Sequence, residues 1–235
     1  MRVLICSNPS RDVGGAIAEK VSNILRNYGV NSTRCEILDV DVLANAECDL
    51  LLTLGGDGTI LHTAPYAVER EIPVLGVNLG SVGHLCAFGR GELEVMLERI
   101  VRGEYITEYR SVLNVRQRIV INEVVLYRGL YPRPIRVIAK IYGEDYEITR
   151  NIRGDGVIIA TSTGSTAYSK FAGGQILEPT SDFVQVTPIC AVDSPPEVLR
   201  QFDHIELAYE CEGQAVISID GKDSEPIAVG ESVVI

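Results

Sequence analysis

An aspartate framed by glycines can serve phosphoryl chemistry, and the chain carries one at Leu54-Gly55-Gly56-Asp57-Gly58-Thr59. The glycines allow tight or left-handed turns and let a ligand approach the backbone closely. Exposed N–H groups of such a loop can cradle phosphate, helped by the start of the following helix. The preceding residues read as a buried strand, so Asp57 sits where open α/β sheets place ligands. A capping aspartate in a strand-to-helix turn would carry the same side chain, but the full Gly-Gly-Asp-Gly-Thr run favours function. There is no G-x-x-x-x-G-K-[ST], which excludes a P-loop NTPase, and no G-x-G-x-x-G after a strand, which leaves a Rossmann site unsupported.

Four further clusters could contribute. Asn78-Leu79-Gly80-Ser81-Val82-Gly83 follows another strand and reads equally well as a second ligand loop or an ordinary turn. Gly154-Asp155-Gly156 leads through a strand into Thr161-Ser162-Thr163-Gly164-Ser165-Thr166-Ala167-Tyr168, where hydroxyls and N–H groups could line a sugar or phosphate site. That run is longer than a helix cap requires. Asn122-Glu123 interrupts the apolar Ile119–Leu126, and polar side chains there need partners, from a cross-strand network or from a ligand. Asp220-Gly221-Lys222 has the composition of a hairpin turn. Of the histidines, His62 lies one helical turn beyond Gly58 and could face the same cleft, whereas His84 and His204 have no such context. No spacing suggests a Ser-His-Asp or Cys-His arrangement.

The elements that must position these residues change along the chain. Residues 2–6, 50–54 and 74–77 are short apolar runs, and 16–28, 60–69 and 92–101 read as helices between or after them. Such alternation implies a parallel sheet with crossover helices over residues 1–104. Beyond about Tyr105 come short β-branched runs at 112–115, 119–127, 135–142, 146–152, 157–160, 183–188, 205–209, 215–219 and 233–235, with one helical stretch near 165–172. The spacing predicts an antiparallel, sandwich-like β domain over 105–235. No Gly/Ser linker separates the halves, so a shared cleft is expected.

The chain has 235 residues, a net charge of −11 and 46% hydrophobic residues. That acidity argues against binding nucleic acid or anionic membranes by bulk charge. The opening apolar run is too short for a signal peptide or a membrane span. The six cysteines form no C-x-x-C, which argues against a zinc knuckle. They read as reduced thiols, mostly in the core, in a cytoplasmic protein.

Taken in order, these motifs resemble the NAD kinase family. The resemblance runs from Gly55-Gly56-Asp57-Gly58-Thr59 through Gly76–Gly83, Asn122-Glu123, Asp155-Gly156, Thr163–Tyr168 with Ala172-Gly173-Gly174, to Asp220-Gly221. It implies an N-terminal α/β domain like that of phosphofructokinases and a C-terminal β-rich, NAD-binding domain. The implied reaction is transfer of a phosphoryl group from ATP, another nucleoside triphosphate or polyphosphate to the 2′-hydroxyl of the adenosine ribose of NAD, giving NADP. By resemblance Asp57 takes the hydroxyl proton, and Gly55, Gly56 and Gly58 offer N–H groups to the phosphates. Mg²⁺ or another divalent metal travels with the nucleotide.

The same resemblance assigns dinucleotide contacts to Asn78, Asn122, Glu123, Asp155, Thr163, Thr166, Ala167, Tyr168 and Ser169, with Lys170 and Phe171 beside them. It gives cationic or basic contacts to His62, Arg133, Arg153 and Lys222, with Asp220 in the same series. It also implies a homodimer or homotetramer. The sequence departs from the family pattern at Ser162 and Gln175, where proline is usual, at Ala191-Val192-Asp193-Ser194, and in ending at Ile235, where many members continue. Two alternatives stay open: a non-catalytic dinucleotide-binding protein, and a lipid or sugar kinase sharing only the Gly-Gly-Asp-Gly motif.

Overall fold

A computed structural model describes residues 1–80, 83–210 and 213–235. The chain divides into two compact units, Met1–Thr107 and Glu108–Ile235.

The first unit is built on β1 (Arg2–Ser7), β2 (Asn31–Glu36), β3 (Leu50–Gly55), β4 (Val74–Asn78) and β5 (Phe88–Gly89), with α1 (Ala16–Asn27), α2 (Val40–Asn45), α3 (Asp57–Val68) and α4 (Leu93–Val101) as the α-helices. The strands lie in the order β2-β1-β3-β4-β5 and every neighbouring pair is parallel. Both faces of this sheet are covered, which is why its central strands read as unbroken apolar runs. Alternate residues of β1 serve different layers. Val3 and Ile5 pack with Val21 and Leu25 of α1 and Met96 and Leu97 of α4. Leu4 and Cys6 pack with Leu43 of α2 and Ala67 of α3.

The second unit contains β6 (Leu113–Val115), β7 (Arg118–Val120), β8 (Glu123–Tyr127), β9 (Ile135–Gly143), β10 (Tyr146–Gly154), β11 (Gly156–Thr161), α5 (Tyr168–Phe171), β12 (Val184–Ile189), β13 (Glu197–Leu199), β14 (His204–Glu210), β15 (Ala215–Ile219), β16 (Asp223–Ile227) and β17 (Val233–Val234). They form sheets of order β10-β9-β14-β17 and β13-β12-β11-β8-β15-β16, plus the β6-β7 hairpin, and every pair is antiparallel. Leu126, Val157, Ile159 and Ile217 of one large sheet share a core with Val137, Ile141, Ile205 and Leu207 of the other. This is the sandwich that the period-2 runs imply.

Several expectations are corrected. The run 119–127 is two strands, because Ile121 and Asn122 break the ladder between β7 and β8. The helix expected near 165–172 is a 3-10 turn, Thr163–Thr166, followed by the single-turn α5. The helix expected from Ile60 begins at Asp57. The sequence reading also missed β2, α2, β5, β13 and β16. β2 is a polar edge strand that buries only Cys35. β16 is another edge strand and carries Pro226, which an edge position tolerates. The cysteines are less uniformly internal than expected. Cys6 and Cys35 are buried, Cys48 and Cys86 half-buried and Cys190 exposed, all five as free thiols. Cys211 lies outside the described residues. No helix is long and apolar enough to cross a membrane.

Candidate active site

In the first unit the chain leaves β3 at Gly55 and enters α3 at Asp57. None of Gly55, Gly56 and Gly58 has a positive φ, so left-handed freedom is not what the motif uses. Gly55 is small for another reason. A Cβ there would lie 2.0 Å from the Thr59 hydroxyl oxygen. Thr59 is buried, and its hydroxyl accepts the Gly56 N–H at 3.3 Å and an Asn8 side-chain N–H at 3.4 Å. Gly55 and Thr59 therefore shape the turn. Gly56 and Gly58 have nothing within 4 Å of the position a Cβ would take and leave room at the helix start.

The Asp57 carboxylate accepts three backbone N–H groups. His84 donates to Oδ2 at 2.7 Å, and Leu85 and Cys86 to Oδ1 at 3.1 and 3.4 Å. Asn78 turns its side-chain oxygen back on the Gly80 N–H at 2.8 Å, as an Asx turn. Ser81 and Val82 of that motif lie outside the described residues. His62 is half-buried, and its Nε2 is buried with no partner.

In the second unit the pieces converge on the break between β7 and β8. Gly164 packs against Asn122 so closely that a Cβ would meet the Asn122 carbonyl oxygen at 2.1 Å. The Thr161 N–H donates to the same carbonyl at 2.9 Å. Asp220 and Gly221 both have positive φ, as a tight hairpin turn between β15 and β16 requires. The Asp220 side chain goes further. Its carboxylate is buried and accepts the N–H groups of Ile121 at 3.0 Å, Asn122 at 2.7 Å and Glu123 at 3.1 Å.

Glu123 lies beside it, 6% exposed, with Oε2 buried and unpartnered. Burial first, and the Asp220 charge second, push its carboxyl up to about 7, against the pull of the Tyr168 N–H. Thr163 likewise has a buried hydroxyl with no partner. Two unsatisfied buried oxygens in one motif set are costly in a folded protein unless something supplies donors.

The motif order, the parallel and antiparallel halves and these two polar clusters can now be set beside known proteins. The family model of the ATP-NAD kinase N-terminal domain matches residues 10–105, and that of the ATP-NAD kinase C-terminal domain matches residues 121–235. The chain belongs to the NAD kinase family. An NAD kinase of Methanothermobacter thermautotrophicus is 36% identical over 227 residues, covering 90% of this chain and 79% of that one. One from Prosthecochloris aestuarii is 37% identical over 202 residues, covering 81% and 69%. The crystal structure of an NAD kinase from Archaeoglobus fulgidus in complex with ATP superimposes with a TM-score of 0.82 at 26% identity, covering 100% of this chain and 89% of that one. Yeast NADH kinase complexed with NADH shares the fold, with a TM-score of 0.83 at 24% identity, covering 100% and 77%. The reaction of the NAD kinase family is phosphorylation to NADP.

Several residues expected as ligand contacts have internal duties in this chain. Ser169 is fully buried and shares a hydrogen bond with the Thr187 hydroxyl at 2.8 Å, while Gln185 Nε2 donates to it at 2.7 Å. Asp155 Oδ1 holds the Arg128 guanidinium at 2.8 Å, so any sugar must share that carboxylate with Arg128. Thr166 and Ala167 are half-buried, whereas Tyr168, Lys170 and Phe171 are exposed, Phe171 at 86%. Arg133 is exposed between β8 and β9, Arg153 is exposed on β10, and Lys222 is exposed beside the hairpin turn. His204 stacks on Tyr142 with ring centres 4.4 Å apart.

Sequence reasoning missed Arg128 and the segment 84–86 as partners of the two expected aspartates. The charge of Arg128 was visible, but nothing local marks its pairing with Asp155. At Gln175 the departure from the family's proline leaves an N–H, which donates to Gln185 Oε1 at 2.7 Å. Ser162 at the other departure bonds the Ser181 hydroxyl and the Phe183 carbonyl, both at 2.8 Å.

Proposed function

We propose that this protein transfers the γ-phosphoryl group of ATP to the 2′-hydroxyl of the adenosine ribose of NAD, giving NADP and ADP. The observation that carries the reading is the match of both NAD kinase domains, in order, over residues 10–105 and 121–235. ATP in the Archaeoglobus fulgidus relative supports ATP as donor.

In this reading Asp57 accepts the proton of the 2′-hydroxyl as the O2′–P bond forms and the bridging P–O bond to ADP breaks. The transition state is loose, so orientation of the attacking oxygen matters more than base strength. Amides at the start of α3, with Gly56 and Gly58 leaving space, receive phosphate oxygens. Asn122, Glu123, Asp155, Thr163 and the segment Thr166–Tyr168 hold the dinucleotide. The unpartnered Glu123 and Thr163 oxygens support that assignment, because a bound ribose or base supplies polar groups for them. His62, whose Nε2 also lacks a partner, is assigned to the nucleotide as well.

No group of three His, Cys, Asp or Glu side chains among the described residues is placed to hold a metal ion. The donor set fits a divalent cation that arrives chelated by the triphosphate, where it offsets phosphate charge. We assign a homodimer or homotetramer on the family resemblance and a cytoplasmic setting on the cysteines, read as reduced thiols; sedimentation checks the first and fractionation the second.

The deciding assay incubates the folded chain with NAD, Mg²⁺ and either ATP or polyphosphate and measures NADP. NADP formed with ATP supports the reading, and formation with polyphosphate extends the donor range. Tight NAD binding without NADP from either donor would replace it with the binding-protein reading.

A further inference from the structure

Asp57 is the group on which the proposed reaction turns, and its carboxylate is engaged on both oxygens by one short stretch of chain. His84, Leu85 and Cys86 donate successive backbone N–H groups to it. Consecutive amides aimed at one point form a concave anion cradle. This cradle is itself anchored. The Ala87 N–H donates to the Gly76 carbonyl of β4 at 3.0 Å, and the Leu79 N–H donates to the Gly55 carbonyl of β3 at 2.7 Å. Gly83 closes the contact on a third side. A Cβ there would fall 2.2 Å from Asp57 Oδ1, and the three atoms nearest to it all belong to that carboxylate.

We infer that the backbone of Gly83–Cys86 is the positioning element of the Asp57 carboxylate. The inference rests on the reading of Asp57 as the base. A carboxylate that receives its proton late in a loose transition state must present one oxygen along the attack line. Amides on both oxygens remove the rotational freedom of χ2, which is otherwise broad for aspartate. The absence of a side chain at 83 lets the carboxylate stand close to the loop. The Cys86 thiol is consistent with this contact. Burial first, then the Asp57 charge, push Cys86 up to about 11.

The test uses the full chain and the variants Gly83→Ala and Asp57→Asn. NADP formation gives kcat and KM for NAD. Alkylation by iodoacetamide at pH 8, followed residue by residue by peptide mass spectrometry, reports on the thiol. Gly83→Ala should lower kcat by ~100-fold, with KM for NAD changed by no more than about twofold. Asp57→Asn should speed alkylation of Cys86 by ~10-fold and leave the exposed Cys190 unchanged, because removing the neighbouring charge raises the thiolate fraction.

Undiminished kcat in folded Gly83→Ala, or Cys86 alkylation indifferent to Asp57→Asn, would overturn the inference. The alkylation arm needs no turnover and decides the question if Gly83→Ala does not fold. If the starting chain makes no NADP while Cys86 and Asp57 remain coupled, the kinase reading falls and the contact stands.

Discussion

Two carboxyl groups, Asp57 in the first unit and Glu123 in the second, occupy opposite electrostatic situations. Asp57 is half-buried and accepts three backbone N–H groups. Glu123 is buried, has an oxygen with no partner, and faces the negative charge of Asp220. Satisfaction by fixed amides orients a carboxylate, whereas burial beside a like charge favours the neutral form. The first arrangement suits a group that must accept a proton from one direction. The second suits a group that is partly protonated near neutrality and can then donate as well as accept a hydrogen bond to a ligand.

The strongest way to break that contrast is to remove one carboxylate at a time. Asp57→Asn should lower kcat by ~1000-fold, as loss of a general base does, with little change in the thermal midpoint. A variant that keeps more than a tenth of the turnover removes Asp57 from the role of base.

Glu123→Gln tests the other side through stability. The Glu123 carboxyl rises from an ordinary 4.5 to about 7 on folding. The folded chain therefore binds more protons than the unfolded one between those values, and stability falls as pH rises through that window and levels off above it. Glu123→Gln abolishes this decline. Its stability relative to the starting chain should improve by ~3 kcal/mol between pH 4 and pH 8, as read by urea unfolding at both pH values. An unchanged difference would show that the burial of Glu123 is not felt.

Asp220→Asn sharpens the comparison, because it weakens the acceptor of three buried amides and removes the charge facing Glu123. A stability loss of ~2 kcal/mol at pH 7 is expected, with the Glu123 titration moved down, measured by carboxyl NMR. Gln175→Pro is the smallest change. It deletes the N–H that meets Gln185 Oε1 and should cost ~1 kcal/mol with kcat intact.

Much of the architecture was legible because it rests on local periodicity. The apolar runs of β1, β3 and β4, the amphipathic α1 and α4, and the β-branched strands β9–β12, β14, β15 and β17 each carry their pattern in adjacent residues. The elements that escaped carry no such pattern. β2 buries one residue of six, β5 has two residues, and β16 is acidic and interrupted by Pro226. Edge position and tertiary pairing, not propensity, make them strands.

The candidate site divides the same way. Sequence alone determined which residues gather at three strand ends and turns: Asp57 after β3, the hydroxyl run after β11, and Asp220-Gly221 in a hairpin; it put Asn122-Glu123 inside one apolar run, and the structure sets them where β7 gives way to β8. Those placements follow from residue type and spacing, which are local. Only the tertiary structure decided which polar atoms are already answered and which are left open. Asp57 meets amides 27 to 29 residues away, and Asp220 meets amides 97 to 99 residues away. Ser169 is claimed by Thr187 and Gln185, while Glu123 and Thr163 keep unpartnered oxygens. Hydrogen-bond satisfaction depends on where distant backbone returns in space, and the path of that return is set by sheet order and register.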